Sequence, residues 1–183
     1  MEGLFINCKK IGGIMERKVF IRDCLIHAAI LVFLLVADQL TKLWARTSLA
    51  DAPVIVWKEV FSFRLIYNTG ASFGIFKNHT GALTVFSIVG MLAIGVFYFV
   101  LPKVKKMRLM RVVLTLIVAG GLGNIIDRIA FGKVTDMLSF DLINFPVFNV
   151  ADIGVTCGAI LMCVLWIFYY KDEDFEKWKK SNS

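Results

Sequence analysis

Hydrophobic residues in this chain form long runs that charge seldom interrupts, instead of the short alternating pattern of a soluble domain. Four runs stand out, at Leu25–Trp44, Gly81–Leu101, Val112–Phe131 and Ile153–Tyr170. An α-helix rises about 1.5 Å per residue, so about 20 apolar residues cross a hydrocarbon core about 30 Å thick. The pattern therefore predicts an all-α polytopic membrane protein with four transmembrane helices.

The segment between the first two runs has a different pattern. Residues Ala52–Asn68 are rich in Val, Ile, Phe and Tyr and partly alternate between apolar and polar, which is typical of a β-strand. Gly70 and Gly74 follow at positions that favour tight turns. We therefore expect a small β-containing extracytoplasmic segment between helices 1 and 2.

These patterns predict a single membrane-embedded domain over residues 1–183. The predicted segments are a cytoplasmic N-terminal segment at 1–23, helix 1 at 24–46, an outer β-like segment at 47–80, helix 2 at 81–101, a basic cytoplasmic loop at 102–111, helix 3 at 112–131, an outer loop at 132–147, helix 4 at 148–170 and a cytoplasmic tail at 171–183. Polar Asp38-Gln39 follows the first run where a cleavage site would need small residues, so helix 1 is expected to be a retained anchor.

The positive charge supports this topology. The chain is 58% hydrophobic and 19% charged, with a formal net charge of +7. Its Lys and Arg residues are concentrated before helix 1, between helices 2 and 3, and after helix 4. Four helices place these three segments on one side, which the positive-inside rule identifies as the cytoplasm. The charge is thus expected to contact membrane lipid, and nucleic-acid binding is not predicted.

Cysteine and histidine give no sign of a metal site or a disulfide framework. Cys157 and Cys163 lie within helix 4, and Cys8 and Cys24 lie on the predicted cytoplasmic side. No CxxC pair occurs, and the two histidines are far apart in sequence. No metal or other cofactor is expected.

Acidic residues instead meet at one predicted depth. Asp38 and Asp127 come late in outward-going helices, and Asp152 comes early in an inward-going helix. Asp136 lies in the connection between helices 3 and 4. A carboxylate inside a membrane costs at least ~2.5–3.5 kcal/mol, so it needs a partner or a polar cavity. The pattern predicts a polar site at the outer ends of the helices.

Sequence neighbours suggest different roles for these acids. Asp38 and Lys42 are four residues apart on one helix, and Asp127 is next to Arg128, so both acids are expected to be held ionised by a cation. Asp136 and Asp152 have no adjacent basic residue. Two such carboxyl groups in a wet pocket would share a proton, with one acting as base and the other as acid in the attack of water on a peptide carbonyl. An ion path, a structural pair and solvated interfacial acids remain open on the residues alone.

Two other functions are compatible with parts of the pattern. Gly70–Gly74 matches G-x-S-x-G, so Ser72 with His79 could form a serine hydrolase. Residues 73–80 separate Ser72 from the predicted start of helix 2, however, where the motif needs a direct turn into the helix. A small transporter or membrane scaffold is a non-enzymatic alternative. It would need acids spread across the bilayer depth, and helix 2 has none.

Four sequence blocks resemble the signature blocks of the lipoprotein signal peptidase (signal peptidase II) family. They are DQLTK at 38–42, RLIYNTGASFG at 64–74, GNIIDRIAFGKVTDM at 123–137 and FNVAD at 148–152. Met137 departs from the family, which often has Phe there. The resemblance implies that Asp136 and Asp152 are a catalytic aspartate pair. It implies supporting or substrate-binding positions at Asn68, Gly70, Asn124, Asp127, Arg128 and Asn149, with Asp38 and Lys42 in a first-helix motif.

The resemblance also implies an activity. An enzyme of this family would remove the signal peptide of diacylglyceryl-modified prolipoproteins, cutting immediately before the lipidated cysteine. It would act as a monomer at the outer face of the bacterial cytoplasmic membrane, with the lipid chains between helices, and would be sensitive to the cyclic peptide globomycin.

Overall fold

Four long helices form the body of the protein. The structure is a computed structural model that describes residues 2–70, 79–102, 104–143, 145–171 and 173–174, with only the helical backbone described for 2–18. The helices are α1 (Glu2–Ser48), α2 (Thr80–Val100), α3 (Arg108–Phe131) and α4 (Val150–Phe168). The parts long and apolar enough to cross a membrane are Val19–Ser48, Thr80–Val100, Lys105–Phe131 and Val150–Phe168. The predicted four-helix membrane architecture is confirmed.

Helix α3 is the centre of the bundle. It contacts α1, α2 and α4, and about half of its membrane-spanning window is buried. Helix α2, in contrast, has no buried residue. In lipid, helices associate by close packing because there is no hydrophobic drive between them. An outer surface of large apolar side chains, such as Phe86, is therefore suited to a hydrocarbon environment.

Glycines allow α4 to pack closely against α3. A Cβ atom built on Gly158 would lie 3.3 Å from the carbonyl oxygen of Val113, and one on Gly154 would lie 3.3 Å from that of Leu116. Gly120 on α3 faces the first turn of α4 in the same way, against Val155. The GxxxG pair Gly154–Gly158 is thus a packing motif, which fixes where the first turn of α4 sits.

A three-stranded antiparallel sheet covers one end of the bundle. Its strands are β1 (Val54–Trp57), β2 (Phe61–Asn68) and β3 (Val134–Phe140), in the order β1-β2-β3. Residue Ile66 pairs with Asp136, and Asn68 pairs with Val134. We call this the sheet end of the bundle, and the end with the short 3₁₀ helix Lys105–Met107 the loop end.

Strand β3 was not expected, because the sequence pattern predicted only a loop over 132–147. Residues Val134–Met137 are all buried, so the segment lacks the alternation that marks a half-exposed strand. Gly132 ends α3 in the left-handed conformation (φ 69°) and turns the chain directly into β3. The helix limits also differ from the predicted ones, since α1 extends well before residue 24 and α3 begins at Arg108.

Met137 packs the sheet onto the bundle. Its side chain is 1% exposed and lies in a cluster with Ala45 and Leu49 of the α1 end. Successive side chains of a strand point to opposite faces, so Asp136 points away from this cluster. Met137 is therefore a core residue that holds the sheet against α1.

Candidate active site

A cavity of about 820 Å³ lies between the sheet and the sheet-end turns of α3 and α4. Its lining comes from β2 and the residues after it, α3, β3, the segment before α4, and the first two turns of α4. The lining residues are Ile66, Tyr67, Asn68, Thr69, Gly70, Asn124, Arg128, Val134, Asp136, Phe145, Pro146, Val147, Phe148, Asp152, Ile153, Thr156 and Cys157. Asp136 and Asp152 thus share one cavity, although they come from a strand and a helix.

Asp136 is held in the middle of β3 and is 2% exposed. Its Oδ1 accepts a hydrogen bond from Asn149 Nδ2 at 2.7 Å, and its Oδ2 accepts one from Asn68 Nδ2 at 3.2 Å. Burial, and secondly the nearby charge of Asp152, raise the pKa of Asp136 to about 7. A carboxyl group of this kind can hold a proton near neutral pH.

Asp152 belongs to the first turn of α4, where it forms a capping box with Asn149. The Asp152 N–H donates to Asn149 Oδ1 at 2.9 Å, and the Asn149 N–H donates to Asp152 Oδ2 at 3.2 Å. The remaining oxygen, Oδ1, accepts from Asn124 Nδ2 at 2.8 Å. An acid here is favoured by the partial positive charge of the helix N-terminus and by free N–H groups, which explains its place at the start of an apolar helix.

Asn149 connects the two carboxyl groups. Its side chain is fully buried, and its Nδ2 donates to Asp136 Oδ1 and to Asn124 Oδ1, the latter at 3.1 Å. Since its Oδ1 accepts from Asp152 N–H, one amide bonds to both aspartates. The sequence-predicted positions Asn68, Asn124 and Asn149 are therefore all within hydrogen-bond distance of Asp136 or Asp152.

A buried ion network lies next to this site. Lys42 Nζ is 2.9 Å from Asp38 Oδ2 and 3.8 Å from Asp127 Oδ2, and all three side chains are almost fully buried. Asp38 Oδ1 accepts from the Ala151 N–H at 2.9 Å, and Asp127 Oδ2 accepts from the Thr135 N–H at 2.8 Å. The network thus fixes both backbones that carry the paired aspartates, one residue before Asp136 and one before Asp152.

Asp127 and Arg128, adjacent in sequence, take different partners. Asp127 bonds within the ion network, whereas Arg128 Nη2 donates to the Gly70 carbonyl at 3.3 Å and its side chain lines the cavity. The Gly70 N–H in turn donates to Asn68 Oδ1 at 2.9 Å. Gly70 therefore joins Arg128 to the amide that contacts Asp136.

Sequence reasoning missed three members of the network, Arg46, Gln39 and Thr135. Arg46 Nη1 donates to Thr135 Oγ1 at 2.9 Å and lies 3.7 Å from Asp127 Oδ1. Gln39 Nε2 donates to Asp38 Oδ2 at 3.1 Å. Arg46 is four residues after Lys42, so helical spacing could have found it. Thr135 carries no such signal, because its role depends on β3.

The serine-hydrolase alternative involves a residue that lies outside the described part of the chain, Ser72. His79 is exposed and precedes α2. Over the described ranges, no group of three His, Cys, Asp or Glu side chains is placed to hold a metal ion.

The family model and the similar proteins point to the same family. The model of the family described as "Signal peptidase (SPase) II" matches residues 30–168. The "Lipoprotein signal peptidase" of Clostridium tetani is 38% identical over 152 residues, which are 80% of this chain and 94% of the relative. The protein of the same description from Gloeobacter violaceus is 40% identical over 139 residues, 75% of this chain and 77% of the relative.

Solved structures agree with the sequence comparison. A structure described as "Bacterial membrane enzyme structure by the in meso method at 2.3 A resolution" superposes with a TM-score of 0.68 and 29% identity, covering 77% of this chain and 87% of that one. The matched range 30–168 contains α2, α3, α4, the whole sheet and every residue named above in the cavity and the ion network. The chain belongs to the signal peptidase II family.

Proposed function

We propose that this protein is an aspartic endopeptidase that removes the signal peptide from diacylglyceryl-modified prolipoproteins, cutting before the lipidated cysteine. The observation that carries the proposal is the shared cavity of Asp136 and Asp152, with Asn149 donating to both carboxyl groups, through its side-chain amide to Asp136 and through its backbone N–H to Asp152. Family membership supports the peptidase activity, and the names of the relatives support a lipoprotein substrate. The proposed enzyme works as a monomer with no cofactor.

The two carboxyl groups are suited to different steps. Asp136 is the buried member, and its raised pKa of about 7 supports a protonated state in the resting enzyme. Asp152 accepts two N–H hydrogen bonds at a helix N-terminus, an environment that stabilises a carboxylate. In the proposed reaction Asp152 takes a proton from the attacking water, and Asp136 donates its proton to the peptide carbonyl oxygen. When the tetrahedral intermediate collapses, Asp152 donates the proton it took from water to the leaving amine, and Asp136 takes a proton from one hydroxyl of the intermediate. The C–N bond breaks, the new carboxyl group forms, and both aspartates return to their starting states.

The residues that line the cavity suit a substrate with a peptide part and a lipid part. One side is made of backbone and polar groups of β2 and β3, including Asn68 and Asp136. The other side includes Ile153 and Cys157, whose side chains are exposed on α4. We infer that the peptide lies along the strands while the diacylglyceryl chains stay in membrane lipid beside α4. The sheet end then faces the outside of the bacterial cytoplasmic membrane, and both termini are cytoplasmic.

Cleavage of a purified lipid-modified precursor, followed by a gel shift, tests the proposal. Asp136→Asn and Asp152→Asn should each abolish the shift, because each removes one of the two proton-transfer groups, while the variants remain inserted and fold as judged by thermal unfolding in detergent. Globomycin should block the wild-type reaction. Full activity in either variant would exclude the aspartate pair.

Ser72→Ala separates this mechanism from the serine-hydrolase alternative. It should leave most of the activity, because no step in the proposed reaction uses a serine. Complete loss of cleavage in Ser72→Ala, with the protein still folded, would favour Ser72 as the nucleophile.

A further inference from the structure

Three asparagine side chains surround the proposed aspartate pair, and each is anchored through its oxygen. The anchoring donors are the Gly70 N–H for Asn68 (2.9 Å), the Asp152 N–H for Asn149 (2.9 Å) and Lys42 Nζ for Asn124 (3.1 Å). A backbone N–H and an ammonium group can only donate. Each amide NH₂ is therefore forced to the opposite side, where it donates to Asp136 or Asp152.

Lys42 differs from the other two anchors because it is a charged side chain on a different helix. It is completely buried, and its Nζ also contacts Asp38 Oδ2 and the Gly123 carbonyl oxygen, at 2.9 and 3.2 Å. It is not among the described residues that line the cavity. Any effect of Lys42 on the reaction must therefore be transmitted through a neighbour.

Asn124 is the neighbour that reaches the reacting groups. Its Nδ2 donates to Asp152 Oδ1 at 2.8 Å, and its Oδ1 accepts from both Lys42 and Asn149. A flipped Asn124 amide would place its oxygen against the Asp152 carboxylate and would turn its NH₂ toward the two donors. That change would replace attractive contacts with repulsive ones at three places. The charge of Asp152 also acts on two groups of other elements, Asp136 of β3 and Arg128 of α3.

We propose that Lys42 is a positioning residue for the reaction: it holds Asn124 in the one orientation that donates a hydrogen bond to Asp152. The inference rests on the proposed function, in which Asp152 activates water. Lys42 acts on the rate through the Asn124 amide, in addition to neutralising Asp38 and Asp127.

A double-mutant cycle on cleavage of the lipidated precursor tests this role. Lys42→Met and Asn124→Ala should each lower kcat by about ten- to hundredfold, the effect of losing a hydrogen bond to a charged group, with KM little changed. Adding Lys42→Met to Asn124→Ala should lower kcat by much less than Lys42→Met lowers it in the wild type, because Lys42 then has no amide left to orient. Losses that multiply in the double variant would overturn the proposal.

Arg46→Met is the matched control. Arg46 lies 3.7 Å from Asp127, as Lys42 lies 3.8 Å from it, but Arg46 bonds to Thr135 and not to the amides. Its effect on kcat should multiply with that of Asn124→Ala. If Arg46→Met is instead as non-additive as Lys42→Met, the coupling belongs to the ion network as a whole and the proposed role of Lys42 is excluded.

Two further experiments separate a folding defect and a wrong proposed function from a wrong inference about Lys42. If Lys42→Met does not fold, Asp38→Asn/Lys42→Met removes the ion pair without leaving a carboxylate at position 38, and the same cycle is run in the Asp38→Asn background. Wild-type cleavage and its loss in Asp152→Asn are measured in parallel. If the wild type does not cleave the precursor, or if Asp152→Asn still cleaves it, the proposed function is contradicted. If the wild type cleaves the precursor and Asp152→Asn does not, an additive cycle contradicts only the inference about Lys42.

Discussion

Asp136 combines burial with a neighbouring negative charge, and both oppose its ionisation. Its pKa is raised from 3.8 to about 7 because burial disfavours the charged form, and the Asp152 charge adds to this effect. The hydrogen bonds from Asn149 and Asn68 act in the other direction without cancelling it. This environment lowers the stability of the folded protein at neutral pH, and it supports the proposed role of Asp136 as a proton donor near pH 7.

The raised pKa of Asp136 predicts a pH dependence of stability. Between about pH 4 and 7 the folded protein binds a proton at Asp136 that the unfolded chain has released, so this group lowers the free energy of unfolding as the pH rises and has no further effect above pH 7. The limiting slope is about 1.4 kcal/mol per pH unit. Thermal unfolding of wild type and Asp136→Asn should therefore show a stability difference that shifts in favour of wild type as the pH falls from 7 to 5. Parallel pH curves for the two proteins would contradict the assignment.

The same group predicts the basic side of the rate profile. If Asp136 is the proton donor, kcat/KM should fall above about pH 7, because deprotonation removes the general acid of the free enzyme. Initial cleavage rates at limiting precursor concentration, measured from pH 5.5 to 9 in one detergent, give the profile. A rate that stays constant up to pH 9 would show that no proton on Asp136 is needed.

At the level of elements, the site depends on where α4 begins. The capping box of Asn149 and Asp152 uses the free N–H groups of the first turn, and the Ala151 N–H is taken by Asp38. Gly120 of α3 allows this turn to approach closely. The capping of α4 therefore explains why an acid occurs at position 152. The close packing of α4 on α3 explains why this acid lies near Asp136.

Gly120→Ala should consequently impair the enzyme. A methyl group there would lie 3.0 Å from the Val155 backbone nitrogen and even closer to the Ala151 carbonyl oxygen, so α4 must shift. Overpacking of this kind costs about 1–3 kcal/mol, and the shift should also lower kcat because it moves Asp152. Gly90→Ala on α2 is the control, since nothing lies within 4 Å of its added methyl group. Thermal unfolding and kcat are measured for both; equal behaviour of the two variants would contradict the packing argument.

The elements also show which parts of the fold were readable from sequence. The four helices follow from local patterns, and so does the β character of residues 52–68, although the structure divides this stretch into the two strands β1 and β2. The Asp38–Lys42 pair also follows, because the two residues are one helical turn apart. The sequence pattern does not predict strand β3, because most of its residues are buried on both faces and the strand lacks apolar–polar alternation. The contacts of Asp127 with Thr135 and of Asn149 with Asp136 join residues of different elements, so no local pattern could give them.

For the molecule as a whole, charge and polarity separate the two ends. Asp38, Asp127, Asp136 and Asp152 are joined by contacts at the sheet end. The loop end carries Lys105, Lys106, Arg108 and Arg111. Arg111 is buried there and donates to the carbonyl oxygens of Leu101 and Pro102, which follow α2. A bundle with this polarity has a preferred orientation in a membrane with a cytoplasmic positive-charge bias.

This orientation predicts which cysteines a membrane-impermeant maleimide will label. With the native cysteines replaced by alanine, Glu59→Cys in the exposed β1–β2 turn should be labelled in intact spheroplasts if the sheet end faces outward, as proposed. Val104→Cys at the loop end, where the side chain is also exposed, should be labelled only after the membrane is permeabilised. In the proposed reaction the precursor's signal peptide is cut on the side where the aspartate pair lies, so the side on which Glu59→Cys is labelled should be the side of cleavage. The reverse labelling pattern would place the aspartate pair in the cytoplasm and exclude the proposed site of cleavage.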